Sequence, residues 1–461
     1  MSDRLTANLL LNTDSYKASH FLQYPPGANG LFGYIESRGG AYPETVWFGL
    51  QAILREYLAA PVTHGMVDEA TALFAAHGEP FAEAAFRRIV DVHGGCLPLE
   101  IKAAPEGLVI PTHNVLATVE STDPALFWLG SYLESLWLRV WYPATVATRS
   151  RAIKATIRAA LIRSADDVDG QLPFKLHDFG ARGASSSETA ALGGMAHLVN
   201  FQGTDTVLAL LAARRYYDEA MAGFSIPAAE HSTITAWGRN GELAAYRNML
   251  ARFGTPGAVF ACVSDSYDIF HAVDAMWGET LRDAVIRSGA TLVIRPDSGD
   301  PASVVLKCAE LLAARFGTTT NRKGYKVLRH VRLIQGDGVN EASIRHVLDT
   351  LLTAGFSADN LAFGMGGALL QDMNRDTLRW ALKTSAIRID GEWRDVYKAP
   401  VTDPGKTSKP GRLMLYRDAH GHYVTGPADA ALGEPVLRTV YRNGEMNNED
   451  DFATVRARAA L

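Results

Sequence analysis

The chain has 461 residues, of which 47% are hydrophobic and 21% charged, and its formal net charge is −5. That length exceeds one ordinary hydrophobic core and predicts two domains, while the mild negative balance gives no ground for a nucleic-acid or membrane partner. The three cysteines, Cys96, Cys262 and Cys308, lie too far apart for a metal-ligand motif or a disulfide framework. They predict buried, inert thiols in a reducing cytoplasm.

Near the start, Leu9–Leu11 is too short for a secretory apolar segment, and polar Asn12, Thr13 and Asp14 follow at once. The most apolar stretch runs over 126–142, but Glu134 and Arg139 interrupt it and Pro143 follows. A membrane span needs about 20 mostly apolar residues. The spacing of Trp128, Leu129, Leu133, Leu136, Trp137 and Val140 predicts instead one buried helix over 124–141.

Further along, five short apolar runs each lead into Gly or Asp. Residues 198–201 precede Gly203 and Asp205, 259–263 precede Asp265, and 291–294 precede Asp297. Residues 331–334 precede Gly336 and Asp337, and 361–363 precede Gly364. Helix-like stretches lie between them. Residues 301–316 place Val304, Val305, Cys308, Leu311 and Leu312 on one stripe, with Pro301 suited to the first turn. Residues 340–354 do the same with Ile344, Val347, Leu348, Leu351 and Leu352. Strands alternating with amphipathic helices predict an α/β fold with a parallel sheet or barrel, whose ligands sit at the carboxyl ends of the strands. The flanks lack this rhythm. Residues 1–145 plus 386–461 are expected to form one smaller α+β domain, and 146–385 the α/β barrel domain.

Several segments carry chemistry. Gly364-Met365-Gly366-Gly367 follows a strand and precedes a helix-like segment, so its backbone N–H groups suit an anion or, equally, a tight turn. Arg375 a little further on favours phosphate. Arg295-Pro296-Asp297-Ser298-Gly299 and Gln335-Gly336-Asp337-Gly338 end two strands with a carboxylate that suits a sugar diol. One such Asp is more often a local turn residue, but Asp265, Asp297 and Asp337 together favour a site. Glu230-His231-Ser232-Thr233 offers a histidine before a helix expected near Ile234, capped by Ser232 or Thr233, with Glu230 able to orient the ring. His177-Asp178-Phe179-Gly180-Ala181-Arg182-Gly183 reads as a site loop, although Asp178 and Arg182 also have ion-pair spacing. Lys398, Lys406, Lys409 and Arg412 form a basic loop, either a solvated surface or an arm over phosphates.

Taken together, these segments resemble the nicotinate/nicotinamide phosphoribosyltransferase family, most closely its nicotinamide branch. Thr13-Asp14-Ser15-Tyr16-Lys17 and Val263-Ser264-Asp265-Ser266-Tyr267-Asp268 add to the likeness, which runs over about 9–445. The resemblance implies an irregular α/β barrel of the type II phosphoribosyltransferase class and a homodimer with shared active sites. It implies transfer of the ribose 5-phosphate of phosphoribosyl pyrophosphate to nicotinamide, with Mg2+, and with ATP as co-substrate phosphorylating His231 beside Glu230. Phe179 and the partner's Tyr16 would sandwich the pyridine, with Asp205 and Arg295 at its amide. Asp297 and Asp337 would hold the ribose, and Gly336, Gly366, Gly367, Arg375 and Lys383 the ribose and its 5-phosphate. Arg38, Arg182, Lys398 and Lys406 would surround the pyrophosphate, and Asp265 would order magnesium-bound groups indirectly.

The chain departs from better-known animal members at Ala181, Ala261, Met365, Ala381 and Ala399; a serine hydroxyl lost near the phosphate weakens one hydrogen bond by about 1 kcal/mol, and Ala181 and Ala261 bear on inhibitor sensitivity rather than on the reaction. Two other readings share the fold. One is a nicotinate phosphoribosyltransferase. Against it, a nicotinate carboxylate about 4 Å from Asp205 would meet a repulsion of about 4 kcal/mol at an effective dielectric of about 20. The other is a non-catalytic interaction protein, against which His231, Asp297, Asp337 and Arg375 speak together.

Overall fold

A computed structural model of the chain describes residues 8–461. The chain divides into two compact units. One holds the residues up to Thr148, Arg215–Glu219 and Asn374–Ala460, and the other holds Arg149–Arg214 and Ala220–Met373.

The first unit is built on a seven-stranded sheet. Its order is Glu392–Asp395, Trp380–Ile389, Ala28–Ser37, Val115–Ser121, Leu99–Ala103, Arg438–Arg442 and Glu445–Met446, so strands from both chain ends pair within one sheet. The pairs are antiparallel. Trp47, Trp137, Trp380, Tyr34 and Phe86 fill its core. The six apolar residues of the stretch over 124–141 are all buried as their spacing predicts. The single helix expected there is corrected. The segment breaks into Pro124–Leu126, Leu129–Tyr132 and Glu134–Leu138, because Leu133 closes one turn and opens the next. Pro143 does not end a helix either. It lies in the first turn of Trp141–Ser164, where its missing N–H has no helical acceptor to lose.

The second unit is an α/β barrel. Six parallel strands stand in the order Gly203–Thr204, Leu176–Asp178, Leu361–Met365, Val331–Gln335, Thr291–Arg295 and Val259–Val263. The sheet closes through residues 224–229. Phe224 bridges Gly203 on one edge, and Ala228 bridges Ala261 on the other. Hydrogen bonds from Phe224 N to Gln202 O (2.7 Å) and from Ala261 N to Pro227 O (2.9 Å) hold that irregular stave. Helix Pro301–Phe316 buries Val305, Cys308 and Leu312 of its expected stripe and leaves Val304 and Leu311 half-buried at its edges, while Glu341–Thr353, capped by Asn340, buries all five of its stripe. The strand expected over 198–201 is corrected to Gly203–Thr204. Residues 198–201 form the turn that ends helix Ser187–His197, and Leu198, Val199 and Phe201 are apolar because that turn is buried. Cys262 and Cys308 are buried and their thiols are pushed up to about 12 by burial, whereas Cys96 is only partly buried. Among the described residues no helix is long and apolar enough to cross a membrane.

Candidate active site

In the barrel unit, the chemistry-bearing residues follow the carboxyl ends of the staves. The closing stave runs straight into Glu230, which N-caps the short helix His231–Thr235. This helix starts three residues before the expected Ile234, and Thr233 closes the turn by donating to Glu230 O (2.9 Å) rather than capping it. The His231 ring is held by carboxylates from neighbouring staves. Its Nε2 lies 2.9 Å from Asp265 Oδ1, and its Nδ1 lies 3.9 Å from Asp297 Oδ2. Asp265 is almost fully buried, and its second oxygen accepts from Asp297 N (3.0 Å) and Ser298 Oγ (2.6 Å). It therefore fixes the ring and the loop after Arg295 in one stroke. The expectation that Glu230 orients the ring is corrected, since its carboxylate instead accepts from the Ser232 hydroxyl.

Asp297 sits between these groups. Burial pushes its carboxyl above the usual carboxylate range; Arg295 and His231 oppose the shift, and Asp265 and Asp337 reinforce it. Arg295 Nε lies 3.8 Å from Asp297 Oδ1 and is buried without a hydrogen-bond partner, a donor left for a ligand. Gly336 permits this crowding, because a Cβ there would come within 2.7 Å of Asp297 Oδ1. Asp337 is exposed, and its carbonyl accepts from the Gln335 amide (2.7 Å).

An apolar wall of Ala261, Val293 and Ile334 packs with Phe179, Ile226 and Ala362. Gly364 makes room for the Phe179 ring, since a Cβ at Gly364 would lie 1.9 Å from Phe179 Cε2. Asp178 is buried and accepts from Gly180 N (2.7 Å), which sets the turn after Phe179; it is not an ion-pair partner for the exposed Arg182. Asp205 is exposed and accepts from the Ser225 hydroxyl. The Arg182 loop meets the glycine loop backbone to backbone, with a Cβ on Gly183 reaching 2.8 Å from Gly367 Cα. Gly366 precedes the short helix Gly367–Gln371, which Arg149 ties down near both ends through Ala368 O (2.7 Å) and Asp372 O (2.6 Å).

The first unit holds a second group, a cavity of about 600 Å³ lined by Arg38, Arg375, Arg379, Lys383, Lys398 and Lys406 with two carboxylates, Asp376 and Asp403. Ala381 and Lys383 reach it from alternate positions of the strand Trp380–Ile389. Arg38 Nε donates to buried Glu36 (2.6 Å), Arg375 pairs with Asp376 (2.9 Å) and Lys406 with Asp403 (3.1 Å). Burial lowers the Lys383 ammonium from its usual range, Arg38, Lys398 and Arg375 add to this, and Glu134 opposes it. The basic loop is pinched at its neck, Lys398 N donating to Ser408 Oγ and Ser408 N to Lys398 O, both at 3.0 Å. Only part of it faces the cavity: Lys409 pairs with Glu36 and Arg412 with Glu120. Tyr16 is 55% exposed and not among the lining residues. Sequence reasoning missed Arg379 and Ser298. Nothing in their local patterns marks them beyond nearness to Arg375 and Asp297.

A model of the nicotinate phosphoribosyltransferase (NAPRTase) family matches residues 174–445, and one of the nicotinamide phosphoribosyltransferase N-terminal domain matches residues 8–101. A nicotinamide phosphoribosyltransferase of Xanthomonas campestris pv. campestris is 61% identical over 98% of both chains. One of Acinetobacter baylyi is 30% identical, covering 98% of this chain and 97% of its own. Two solved structures share the fold at 16% identity. The nicotinate-nucleotide pyrophosphorylase of Pyrococcus furiosus has a TM-score of 0.63 over 100% of this chain and 96% of its own. Human nicotinic acid phosphoribosyltransferase has a TM-score of 0.58 over 97% and 92%.

Proposed function

The chain belongs to the nicotinate phosphoribosyltransferase family, and from that membership we propose that it joins nicotinamide to phosphoribosyl pyrophosphate, giving nicotinamide mononucleotide and pyrophosphate. The observation that carries this reading is the 61% identity over 98% of both chains to a relative named for that activity.

The barrel end suits the pyridine and the ribose. Phe179 offers a flat face beside the Ala261 and Val293 wall, and stacking adds roughly 0.5–1.5 kcal/mol beyond burial. Asp205 accepts from the carboxamide N–H, and the unpartnered Arg295 Nε donates beside it. Asp297 and Asp337 hold the ribose hydroxyls. Gly366 and Gly367 offer backbone N–H groups to phosphate, Gly336 lets the ribose site close, and Arg182 adds a cation. The cavity of the first unit, with Arg38, Arg375, Lys383, Lys398 and Lys406, binds phosphate groups. The active form is a homodimer in which the partner's Tyr16 covers the ring.

In the reaction, the lone pair of the neutral pyridine nitrogen forms the bond to the anomeric carbon as the bond to pyrophosphate oxygen breaks. No base is required. Positioning and stabilisation of the leaving charge supply the rate. Mg2+ fits this site as a companion of the substrate phosphates. No group of three or more His, Cys, Asp or Glu side chains among the described residues could hold a metal by itself, so Mg2+ would enter on those phosphates, and Asp265, whose oxygens hold His231, Asp297 N and Ser298, would order its water shell indirectly. When bound, Mg2+ neutralises charge on the departing pyrophosphate. His231, gripped by Asp265, accepts the γ-phosphoryl group of ATP at a ring nitrogen and releases ADP; water later removes the phosphoryl group, coupling ATP to substrate binding.

The test is twofold. Asp205→Ser is expected to erase most of a preference for nicotinamide over nicotinate of roughly tenfold or more. Incubation with γ-labelled ATP is expected to label the wild type in an acid-labile form and to leave His231→Ala unlabelled. An unchanged preference counts against the Asp205 role, and equal labelling of His231→Ala counts against the phosphohistidine.

A further inference from the structure

We propose that Arg379 binds a phosphate oxygen of phosphoribosyl pyrophosphate, as a sixth cation of the cavity in the first unit. The inference rests on the reading that this cavity takes substrate phosphate.

Arg379 has φ +49, the left-handed region that side-chain-bearing residues rarely adopt. The turn itself has a cause. Leu378 O accepts from Arg38 N (3.1 Å) and Ser37 Oγ (3.0 Å), while the buried Trp380 indole donates to Thr145 (3.1 Å). Both flanking residues are pinned, and Arg379 must join a 3-10 turn, Arg375–Thr377, to the strand Trp380–Ile389. That explains the backbone but not the arginine. Glycine or asparagine makes the same turn with less strain. Nor does packing explain it, since the side chain is exposed.

Electrostatics deepens the question. Arg38, Arg375 and Lys406 each have a carboxylate partner, but Arg379, like Lys383 and Lys398, has no carboxylate ion pair among the described residues. It lines a cavity that already holds five other cations against only two carboxylates, Asp376 and Asp403. A further like charge there is unfavourable until a multiply charged anion enters. Strained residues that persist under such conditions cluster at ligand sites. A guanidinium also presents a planar fork that matches phosphate oxygens, which a lysine does not. The geometry thus gives Arg379 a reason to be there only when the cavity is filled.

The test uses the full-length protein and three variants, Arg379→Asn, Arg379→Lys and Arg375→Ala. Asparagine tolerates the left-handed turn, so Arg379→Asn is expected to leave Tm unchanged or raised. It is expected to raise KM for phosphoribosyl pyrophosphate about tenfold and to leave KM for nicotinamide within about twofold. Arg379→Lys is expected to fall between. If Arg375→Ala raises that KM and Arg379→Asn does not, the inference about Arg379 is overturned while the cavity reading stands. If neither variant changes it, the cavity is not the phosphate site and both fall. A lowered Tm with unchanged KM assigns Arg379 a structural role and overturns the inference.

Discussion

His231 acquires its setting from residues far away in sequence. Its ring partner Asp265 is 34 positions on, and the same carboxylate gathers Asp297 N and Ser298. The local pattern Glu230-His231-Ser232 marked the histidine but pointed to the wrong carboxylate, because Glu230 turns to Ser232. Gly364 has a comparable position beside the aromatic ring. A methyl group there would overlap Phe179, at 1.9 Å. Gly364→Ala should therefore displace the ring and raise KM for nicotinamide about tenfold or more, the equivalent of losing most of a stacking contact. Steady-state kinetics with both substrates varied would check this. An unchanged KM for nicotinamide would mean that Phe179 is not its platform.

At the scale of elements, long helices declared themselves and short strands did not. Pro301–Phe316 carries a clear stripe and a proline in its first turn, and Asn340 caps Glu341–Thr353 by accepting from Ala342 N and Ser343 N, both at 3.0 Å. Asn340→Ala should cost about 1 kcal/mol in a denaturant titration, with no loss of helix position. Leu176–Asp178 and Gly203–Thr204 are too short to show any alternation, so the sequence rhythm reveals four of the barrel's parallel strands and leaves these two hidden. The closing stave over 224–229 is hidden for the same reason, since isolated bridges leave no periodic trace. Over 124–141, helical spacing predicts burial correctly and continuity wrongly. A run of short turns packed in a core buries the same residues as one helix would. The motif residues were legible where chemistry concentrates in sequence; Arg379, set by a turn between two pinned neighbours, was not.

At the scale of the molecule, the first unit is assembled from distant parts of the chain, and Glu106 lies where they meet. It accepts from Gln51 N (2.8 Å) and the Tyr217 hydroxyl (2.5 Å), while its own N–H donates to Asp450 (3.0 Å). Burial pushes its carboxyl up to about 7 from an ordinary 4.5, against the hydrogen bonds that lower it. The native state then holds a proton that the unfolded chain releases. Stability should fall as pH rises from about 4.5 to about 7, by up to roughly 3 kcal/mol, and then level off. Glu106→Gln should flatten that window in denaturation curves taken across pH. A wild-type slope that survives the substitution would assign it to other groups. Purified chain given phosphoribosyl pyrophosphate and Mg2+ should release pyrophosphate one for one with nicotinamide mononucleotide when nicotinamide is added, and at least roughly tenfold more slowly with nicotinate. Equal turnover of nicotinate, or no pyrophosphate from a folded protein with either base, would contradict the account.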